Sequence, residues 1–156
     1  MIELEMPGRK SLEFHHLLLD MNGTLTADGV PLKGVAEKLS VLKSKLNVCM
    51  LTADTFGTGA RVAEDLGIQL FVVSPIVGAE DKADFAAALE PAGVVAIGNG
   101  YNDRQMFKNA QLSIAVVGPE GCCVESLKIA DICVNDINDA LDMLLNPVRI
   151  TATLRR

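Results

Sequence analysis

The chain has 156 residues, a net charge of −6 and a hydrophobic content of 49%, but aromatic residues make up only 4% of it. This composition excludes a disordered chain and predicts one domain over residues 1–156, with a core of aliphatic side chains. The negative charge argues against nucleic acids and anionic membranes as partners. No apolar run approaches the roughly 18–20 residues that span a bilayer, and the acids near the start are unlike a signal peptide, so we expect a cytoplasmic protein.

Strand and helix patterns then alternate along the chain. Residues 2–6 and 12–16 flank a turn at 7–10, which predicts an N-terminal β-hairpin whose second arm continues into a strand ending at Asp20. Apolar periodicity predicts helices at 35–46, 58–66, 79–89, 103–109, 124–130 and 137–145. Further strands are predicted at 47–51, 70–73, 94–97, 112–116 and 132–134, and a C-terminal tail at 147–156. Repeated β-α units predict an α/β fold in three layers, a Rossmann-like parallel sheet with helices on both faces.

Two of the predicted strands end in oxygen-rich loops. Residues 17–19 are apolar and lead directly into Asp20 and a glycine-bearing loop, and residues 94–97 lead into a second such loop at 98–103. Because the carboxyl ends of parallel strands lie at one edge of the sheet, we expect these loops to meet there. Carboxylate and amide oxygens suit Mg²⁺. The sequence therefore predicts a pocket for Mg²⁺ and phosphate at this edge.

Four segments resemble, in order, the motifs of one superfamily. Residues 20–26 read D-M-N-G-T-L-T, which resembles the D-x-D-G-T motif of the haloacid dehalogenase-like (HAD) superfamily and, more closely, the D-K-T-G-T-L-T of P-type ATPases. Residues 50–54 (M-L-T-A-D) resemble the second motif, Lys82 stands where the third-motif lysine belongs, and residues 98–103 (G-N-G-Y-N-D) resemble the fourth motif, G-D-G-x-N-D. The chain is thus identified as HAD-like and similar to the phosphorylation domain of P-type ATPases, over roughly residues 16–145.

The resemblance implies a role for each matched residue. Asp20 is the implied nucleophile, which forms an aspartyl-phosphate, and Thr52 and Lys82 are the implied catalytic residues that hold phosphoryl oxygens. The phosphate is also expected to contact Gly23, through its backbone N–H, and Asn102. The implied Mg²⁺ ligands are Asp20, the backbone carbonyl of Asn22, Asn99 and Asp103.

Two positions depart from the pattern of the superfamily. Phosphatases carry an aspartate as general acid and base where this chain has Asn22, and the loss of such a group typically removes about 10²–10⁴-fold of rate. P-type ATPases carry threonine there and have a long-lived phosphoenzyme. Asn99 stands where the fourth motif normally begins with aspartate, so the site has one negative charge fewer and we expect weaker Mg²⁺ binding.

The spacing of the motifs excludes an inserted cap domain. About thirty residues separate Asp20 from Thr52, and about thirty more separate Thr52 from Lys82, which is enough only for ordinary β-α units. Capless relatives often cover the open site by oligomerising, so we expect a homo-oligomer, a dimer or a tetramer, with contacts through the hairpin or the tail. The expected partner is a phosphorylated small molecule or a phosphoprotein.

Several residue assignments stay open at this point. Lys82 has a rival in Lys108, and Asp103 is either a metal ligand or the cap of the helix that it precedes. Asp54 either faces a substrate or is an ordinary loop acid. The cysteine pair at 122–123 either binds a metal or senses oxidants, or consists only of small residues near a helix start.

Three functions also stay open. The first is a Mg²⁺-dependent phosphohydrolase that acts through Asp20 and is slow because of Asn22. The second is a catalytically weakened or inactive protein that keeps the fold and binds phosphate or a regulatory partner. The third is a phosphoryl-accepting signalling domain, since receiver domains also place an aspartate at a strand end.

Overall fold

A computed structural model describes residues 1–8, 10–89 and 93–155 of the chain. Residue 9 of the predicted turn, residues 90–92 around the predicted helix end before Pro91, and residue 156 of the predicted tail lie outside the described residues. In the described part, the main sheet has six strands, and every neighbouring pair in it is parallel. The prediction of an α/β fold built on a parallel sheet is confirmed.

The described residues form these strands and helices in chain order. The strands are β1 (Ile2–Leu4), β2 (Leu12–Phe14), β3 (His16–Asp20), β4 (Thr26–Ala27), β5 (Val30–Pro31), β6 (Asn47–Thr52), β7 (Gln69–Val72), β8 (Val94–Gly98), β9 (Leu112–Val116) and β10 (Ile132–Val134). The helices are α1 (Val35–Leu42), α2 (Gly59–Leu66), α3 (Gly78–Ala88), α4 (Arg104–Asn109), α5 (Val124–Leu127), α6 (Ile137–Leu145) and α7 (Val148–Leu154). The strand order in the main sheet is β10-β9-β8-β3-β6-β7, which places β3 and its terminal aspartate near the centre.

Helices cover both faces of the main sheet because the apolar side chains of its strands alternate between the faces. Leu17 and Leu19 of β3 belong to one core cluster, with the buried residues of α1, α2 and α6. Leu18 belongs to a second cluster, with Ala86 of α3 and Phe107 of α4. A parallel strand that is buried on both faces is apolar along its whole length, as residues 17–19 are. The resulting rigid centre holds the end of β3 in place.

The N-terminal hairpin is confirmed, because β1 pairs antiparallel with β2. Its second arm does not run unbroken into β3: the backbone N–H groups of His15 and His16 both donate to the Gly93 carbonyl, at 2.9 and 3.1 Å. The predicted tail is instead helix α7, since Ile150 is buried and the Thr151 hydroxyl donates to the Glu5 carbonyl at 2.8 Å. Helix α7 therefore closes the core beneath the hairpin.

Three further details differ from the predicted elements. The β4–β5 hairpin was not predicted. The predicted helix at 103–109 is a short 3-10 turn (Tyr101–Asp103) followed by α4, and the helix predicted at 35–46 ends at Leu42. Between β3 and β8, the residues with described structure contain only short elements and no inserted cap domain. Over the described ranges, no helix is both long and apolar enough to cross a membrane.

Candidate active site

Asp20 lies at the carboxyl end of β3, between the ends of β6 and β8. The register pairs Leu19 with Ile97 of β8, so Gly98 and Asn99 follow directly beside the Asp20 carboxylate. After Asp20 the chain turns sharply, because the N–H groups of residues 24, 25 and 26 all donate to the Met21 carbonyl. Asp20 is only 7% exposed. The strand and the turn together fix a nearly buried carboxylate at the sheet edge.

Lys82 joins the two carboxylates of the site. Its Nζ lies 2.5 Å from Asp20 Oδ1 and 2.6 Å from Asp103 Oδ1, and the whole lysine side chain is buried. The second oxygen of Asp103, Oδ2, accepts from the backbone N–H groups of Asn99 (3.0 Å) and Gly100 (2.8 Å). The structure thus places Lys82 in the site, whereas its rival Lys108 is exposed. Asp103 is a buried member of the site rather than a side-chain cap of α4.

The electrostatics of these three groups follow from burial. Burial and the nearby Asp103 raise the pKa of Asp20 from 3.8 to about 6, and the opposing effect of Lys82 is smaller. Burial opposes the charge on Lys82, but Asp103 and Asp20 together hold the pKa of Lys82 above its usual range. When Asp20, Lys82 and Asp103 are all ionised, the two carboxylates and the single ammonium group together carry one net negative charge. Such a site favours the approach of a cation.

Asn99 is held as an amide at both ends of its side chain. Its Nδ2 donates to the Gly121 carbonyl at 3.0 Å, and its Oδ1 accepts from the Thr24 hydroxyl at 3.2 Å. The same hydroxyl lies 3.4 Å from Asp20 Oδ2. The N–H of Cys123 donates to the Asn99 carbonyl at 2.8 Å. A carboxylate at position 99 would place an oxygen against the Gly121 carbonyl, so the 118–123 loop is built for the amide.

Asn22 is held much less firmly than Asn99. Its side chain is partly buried, and its Oδ1 accepts from the Thr26 hydroxyl across a long 3.4 Å. The N–H of Gly23, a predicted phosphate contact, donates to the Thr26 carbonyl at 2.9 Å in this structure. Gly23 matters here for its missing side chain: its φ is +77°, and a Cβ would overlap the side-chain amide of Asn99. The close approach of the first and fourth motifs therefore requires glycine.

Thr52 ends β6, the strand beside β3 and Asp20. It is 2% exposed, and its Oγ1 accepts from the Asp54 N–H at 2.9 Å, which leaves the hydroxyl proton for a phosphoryl oxygen. Asp54 has a φ of +51°, and its Oδ1 accepts from the Gly59 N–H at 2.7 Å, at the first residue of α2. Asn102 is partly buried in the 3-10 turn, next to Gly100.

The residues present fit a hard cation. Asp20, the Asn22 carbonyl, Asn99 Oδ1 and Asp103 offer only oxygen, the donor type that Mg²⁺ prefers. Across residues 1–8, 10–89 and 93–155, no group of three or more His, Cys, Asp or Glu side chains is placed to hold a metal ion. Mg²⁺ at this edge would therefore depend on two carboxylates, neutral oxygens and water.

Sequence reasoning missed two side chains that hold the site together. Thr24 is fully buried and links Asp20 to Asn99; its place in the first motif is a signal that could have found it. Ser126 of α5 is also fully buried and donates to the Gly100 carbonyl at 2.6 Å, which anchors the fourth-motif loop from outside. No local pattern marks Ser126, because its partner lies 26 residues earlier in the chain.

Comparison with known proteins agrees with this geometry, although no family model matches the chain. The uncharacterized protein MJ0073 of Methanocaldococcus jannaschii is 53% identical over 62 residues, which cover 40% of this chain and 67% of that protein. The copper-transporting ATPase HMA5 of Oryza sativa subsp. japonica is 30% identical over 112 residues, which cover 69% of this chain and 11% of the ATPase. The chain thus spans only about a tenth of that transporter's length.

Solved structures share the fold. Apo phosphoserine phosphatase superposes with a TM-score of 0.68 at 19% identity, covering 85% of this chain and 100% of the phosphatase. The 3-deoxy-D-manno-octulosonate 8-phosphate phosphatase of Moraxella catarrhalis, solved with magnesium, phosphate and KDO, has a TM-score of 0.67 at 18% identity and covers 89% and 90%. The catalytic domain of the CPx-ATPase CopB-B has a TM-score of 0.62 at 26% identity and covers 74% and 46%.

The fold is that of HAD-family hydrolases, with no cap domain among the described residues. The chain is HAD-like and is similar to the catalytic domain of P-type ATPases. The recognition made from the motifs is confirmed. The roles of the individual site residues remain predictions.

Proposed function

We propose that the protein is a Mg²⁺-dependent phosphohydrolase that cleaves phosphoric monoesters through an aspartyl-phosphate on Asp20. The observation that carries this proposal is the buried Lys82, which contacts both Asp20 and Asp103 at the end of the central strands. A purely structural ion pair needs only one carboxylate beside its lysine. A site that binds a phosphoryl anion needs a fixed cation at the sheet edge where the two carboxylates lie. The HAD phosphatases that share the fold support the same reaction class.

The proposed reaction begins at Asp20 Oδ2. Lys82 holds Oδ1 at 2.5 Å, whereas the Thr24 hydroxyl lies a long 3.4 Å from Oδ2, so Oδ2 is the oxygen assigned to attack phosphorus. As the Oδ2–P bond forms, the bond from phosphorus to the ester oxygen breaks. The Thr52 hydroxyl donates a hydrogen bond to a phosphoryl oxygen, and the positive charge of Lys82 offsets the negative charge on the phosphoryl group. When bound, Mg²⁺ neutralises charge on the phosphoryl oxygens. Water then hydrolyses the aspartyl-phosphate and restores Asp20.

Position 22 carries no group that can move the proton in the two steps. The leaving oxygen must gain a proton and the attacking water must lose one, but Asn22 has no proton to exchange at neutral pH. The expected cost of losing a general acid and base is about 10²–10⁴-fold in rate. The proposed enzyme is therefore slow, and its phosphoenzyme persists longer than that of a phosphatase with aspartate at this position.

Several properties of the whole protein belong to the same proposal. The substrate is a phosphorylated small molecule or a phosphoprotein, which an open site without a cap admits. In a homo-oligomer, a dimer or a tetramer, a neighbouring subunit would cover the open site. The location is cytoplasmic.

A second candidate is a catalytically inactive protein that keeps the fold for regulation or binding. One observation favours it: the Gly121 carbonyl and the Thr24 hydroxyl hold the two ends of the Asn99 amide, so the loss of a carboxylate there is built into the fold. Such a protein would bind phosphate without releasing it from an ester.

Phosphate release separates the two candidates. Wild type, Asp20→Asn and Asn22→Asp are compared on p-nitrophenyl phosphate and a panel of phosphorylated metabolites, with and without Mg²⁺. The phosphohydrolase predicts Mg²⁺-dependent release that Asp20→Asn abolishes and Asn22→Asp raises by about 10²-fold or more. Release by none of the three folded proteins would establish the binding protein instead.

A further inference from the structure

Tyr101 is an exposed aromatic side chain on the loop that carries the fourth motif. It is the single tyrosine of a chain without tryptophan, and it begins the 3-10 turn that ends in Asp103. The guanidinium carbon of Arg104 lies 3.4 Å from the centre of the ring, and Arg104 Nε donates to the Tyr101 carbonyl at 3.1 Å. The ring is nevertheless 59% exposed. One face of it is therefore covered by a cation, and most of the remainder is open to solvent.

The loop that carries this ring is anchored on the phosphoryl site. The Gly100 N–H donates to Asp103 Oδ2 at 2.8 Å, and the Gly100 carbonyl accepts from the Ser126 hydroxyl at 2.6 Å. Tyr101 follows directly, so its backbone has a set position relative to Asp103, and Arg104 packs against its ring. An exposed aromatic ring that the fold holds still loses little entropy when a flat partner stacks on it.

Other loops at the carboxyl edge of the sheet also expose large apolar side chains. Those that follow β6 and β7 carry Phe56 (51% exposed), Ile76 (90%) and Val77 (45%). A polyhydroxylated leaving group such as a sugar needs directed hydrogen-bond donors and acceptors instead. A planar aromatic group needs only a flat apolar surface.

We propose that Tyr101, held by Arg104, is the surface on which the leaving group of the substrate stacks, so that the protein prefers phosphate monoesters of planar aromatic alcohols. This inference rests on the proposed function and adds the substrate class to it. Tyr101 contributes binding, whereas Asp20 carries the chemistry.

Binding of two phosphonates tests the inference without turnover, because the C–P bond is not hydrolysed. Phenylphosphonate and cyclohexylphosphonate match in size and charge but differ in aromaticity. By calorimetry with Mg²⁺, wild type should bind phenylphosphonate about 3–10-fold more tightly. Because Tyr101 is the single tyrosine of the chain, phenylphosphonate should also change the tyrosine emission in a saturable way.

Two variants make the test specific to the ring. Tyr101→Leu should remove the preference for phenylphosphonate and leave the affinity for cyclohexylphosphonate unchanged, whereas Tyr101→Phe should retain the preference. Equal binding of the two phosphonates by wild type would overturn the inference and leave the proposed phosphohydrolase intact. If neither phosphonate binds and Asn22→Asp also releases no phosphate, both the inference and the proposed function are overturned.

Discussion

The replacement of Asn99 by aspartate restores the sequence pattern of the superfamily, and we expect it to damage this protein. The variant loses the hydrogen bond from Nδ2 to the Gly121 carbonyl and places a third carboxylate beside Asp20 and Asp103, at a position that is 8% exposed. The lost hydrogen bond costs about 0.5–1.5 kcal/mol, and the unpartnered carboxylate about 1–3 kcal/mol. In metal-free protein, Asn99→Asp should therefore lower the free energy of unfolding by about 2–4 kcal/mol.

Urea unfolding and thermal melts at pH 7 in the presence of a chelator measure this cost. For a chain of this size, each kcal/mol corresponds to roughly 2–4 °C, so Tm should fall by roughly 4–16 °C. Mg²⁺ should recover part of the loss, because the new carboxylate then becomes a ligand. The matched control is Asn22→Asp, which makes the same chemical change at a loosely held side chain and should stay within about 0.5 kcal/mol of wild type. If Asn99→Asp is as stable as Asn22→Asp without metal, the Gly121 carbonyl does not select the amide.

Three further predictions concern the same site. Lys82→Met should cost about 3–5 kcal/mol in urea unfolding, because two buried carboxylates lose their cation, whereas Lys108→Met at an exposed position should cost less than about 0.5 kcal/mol. Because the pKa of Asp20 is raised from 3.8 to about 6, the folded metal-free protein binds this proton more tightly than the unfolded chain does. Stability in thermal melts should therefore fall as pH rises from 4 to 6, and it should fall less in Asp20→Asn. Gly23→Ala, at a φ of +77° and against a neighbouring side chain, should cost more than about 2 kcal/mol of unfolding free energy, whereas Gly57→Ala, at a φ of +65° in open space, should cost about 1 kcal/mol.

Different results would contradict these three expectations. Equal losses for the two lysine variants would mean that Lys82 does not offset the buried carboxylates. A stability that rises between pH 4 and 6 by the same amount in wild type and in Asp20→Asn would contradict the direction of the Asp20 pKa shift. Equal losses of unfolding free energy for the two glycine variants would mean that backbone strain accounts for the whole cost. The contact between position 23 and the Asn99 side chain would then add nothing.

Much of the fold and of the site was predictable because it rests on local patterns. The apolar run before Asp20 and the run before the 98–103 loop required only the rule for buried parallel strands, and the sheet edge then brought both loops together. The two-residue strands β4 and β5 are too short to show any periodicity. Helix α7 depends on contacts of Ile150 and Thr151 with the distant N-terminal hairpin, which no local pattern contains.

Other features of the site could not be predicted because they depend on partners far along the chain or on backbone angles. The amide of Asn99 is oriented by the Gly121 carbonyl, 22 residues later. Asp54 has a positive φ and accepts from the Gly59 N–H, and the sequence does not state that backbone angle. The N–H of Gly23 is used by the Thr26 carbonyl in the turn of the first motif.

The most direct test of the central claim is to trap the phosphoenzyme. Wild-type protein is mixed with p-nitrophenyl phosphate and Mg²⁺, quenched in acid, digested and analysed by mass spectrometry with and without hydroxylamine, which cleaves acyl phosphates. The account predicts one phosphoryl group on the peptide that contains Asp20, removed by hydroxylamine, absent from Asp20→Asn and less abundant in Asn22→Asp, which hydrolyses it faster. Phosphate release without any adduct on this peptide, or an adduct that persists in Asp20→Asn, would contradict the account.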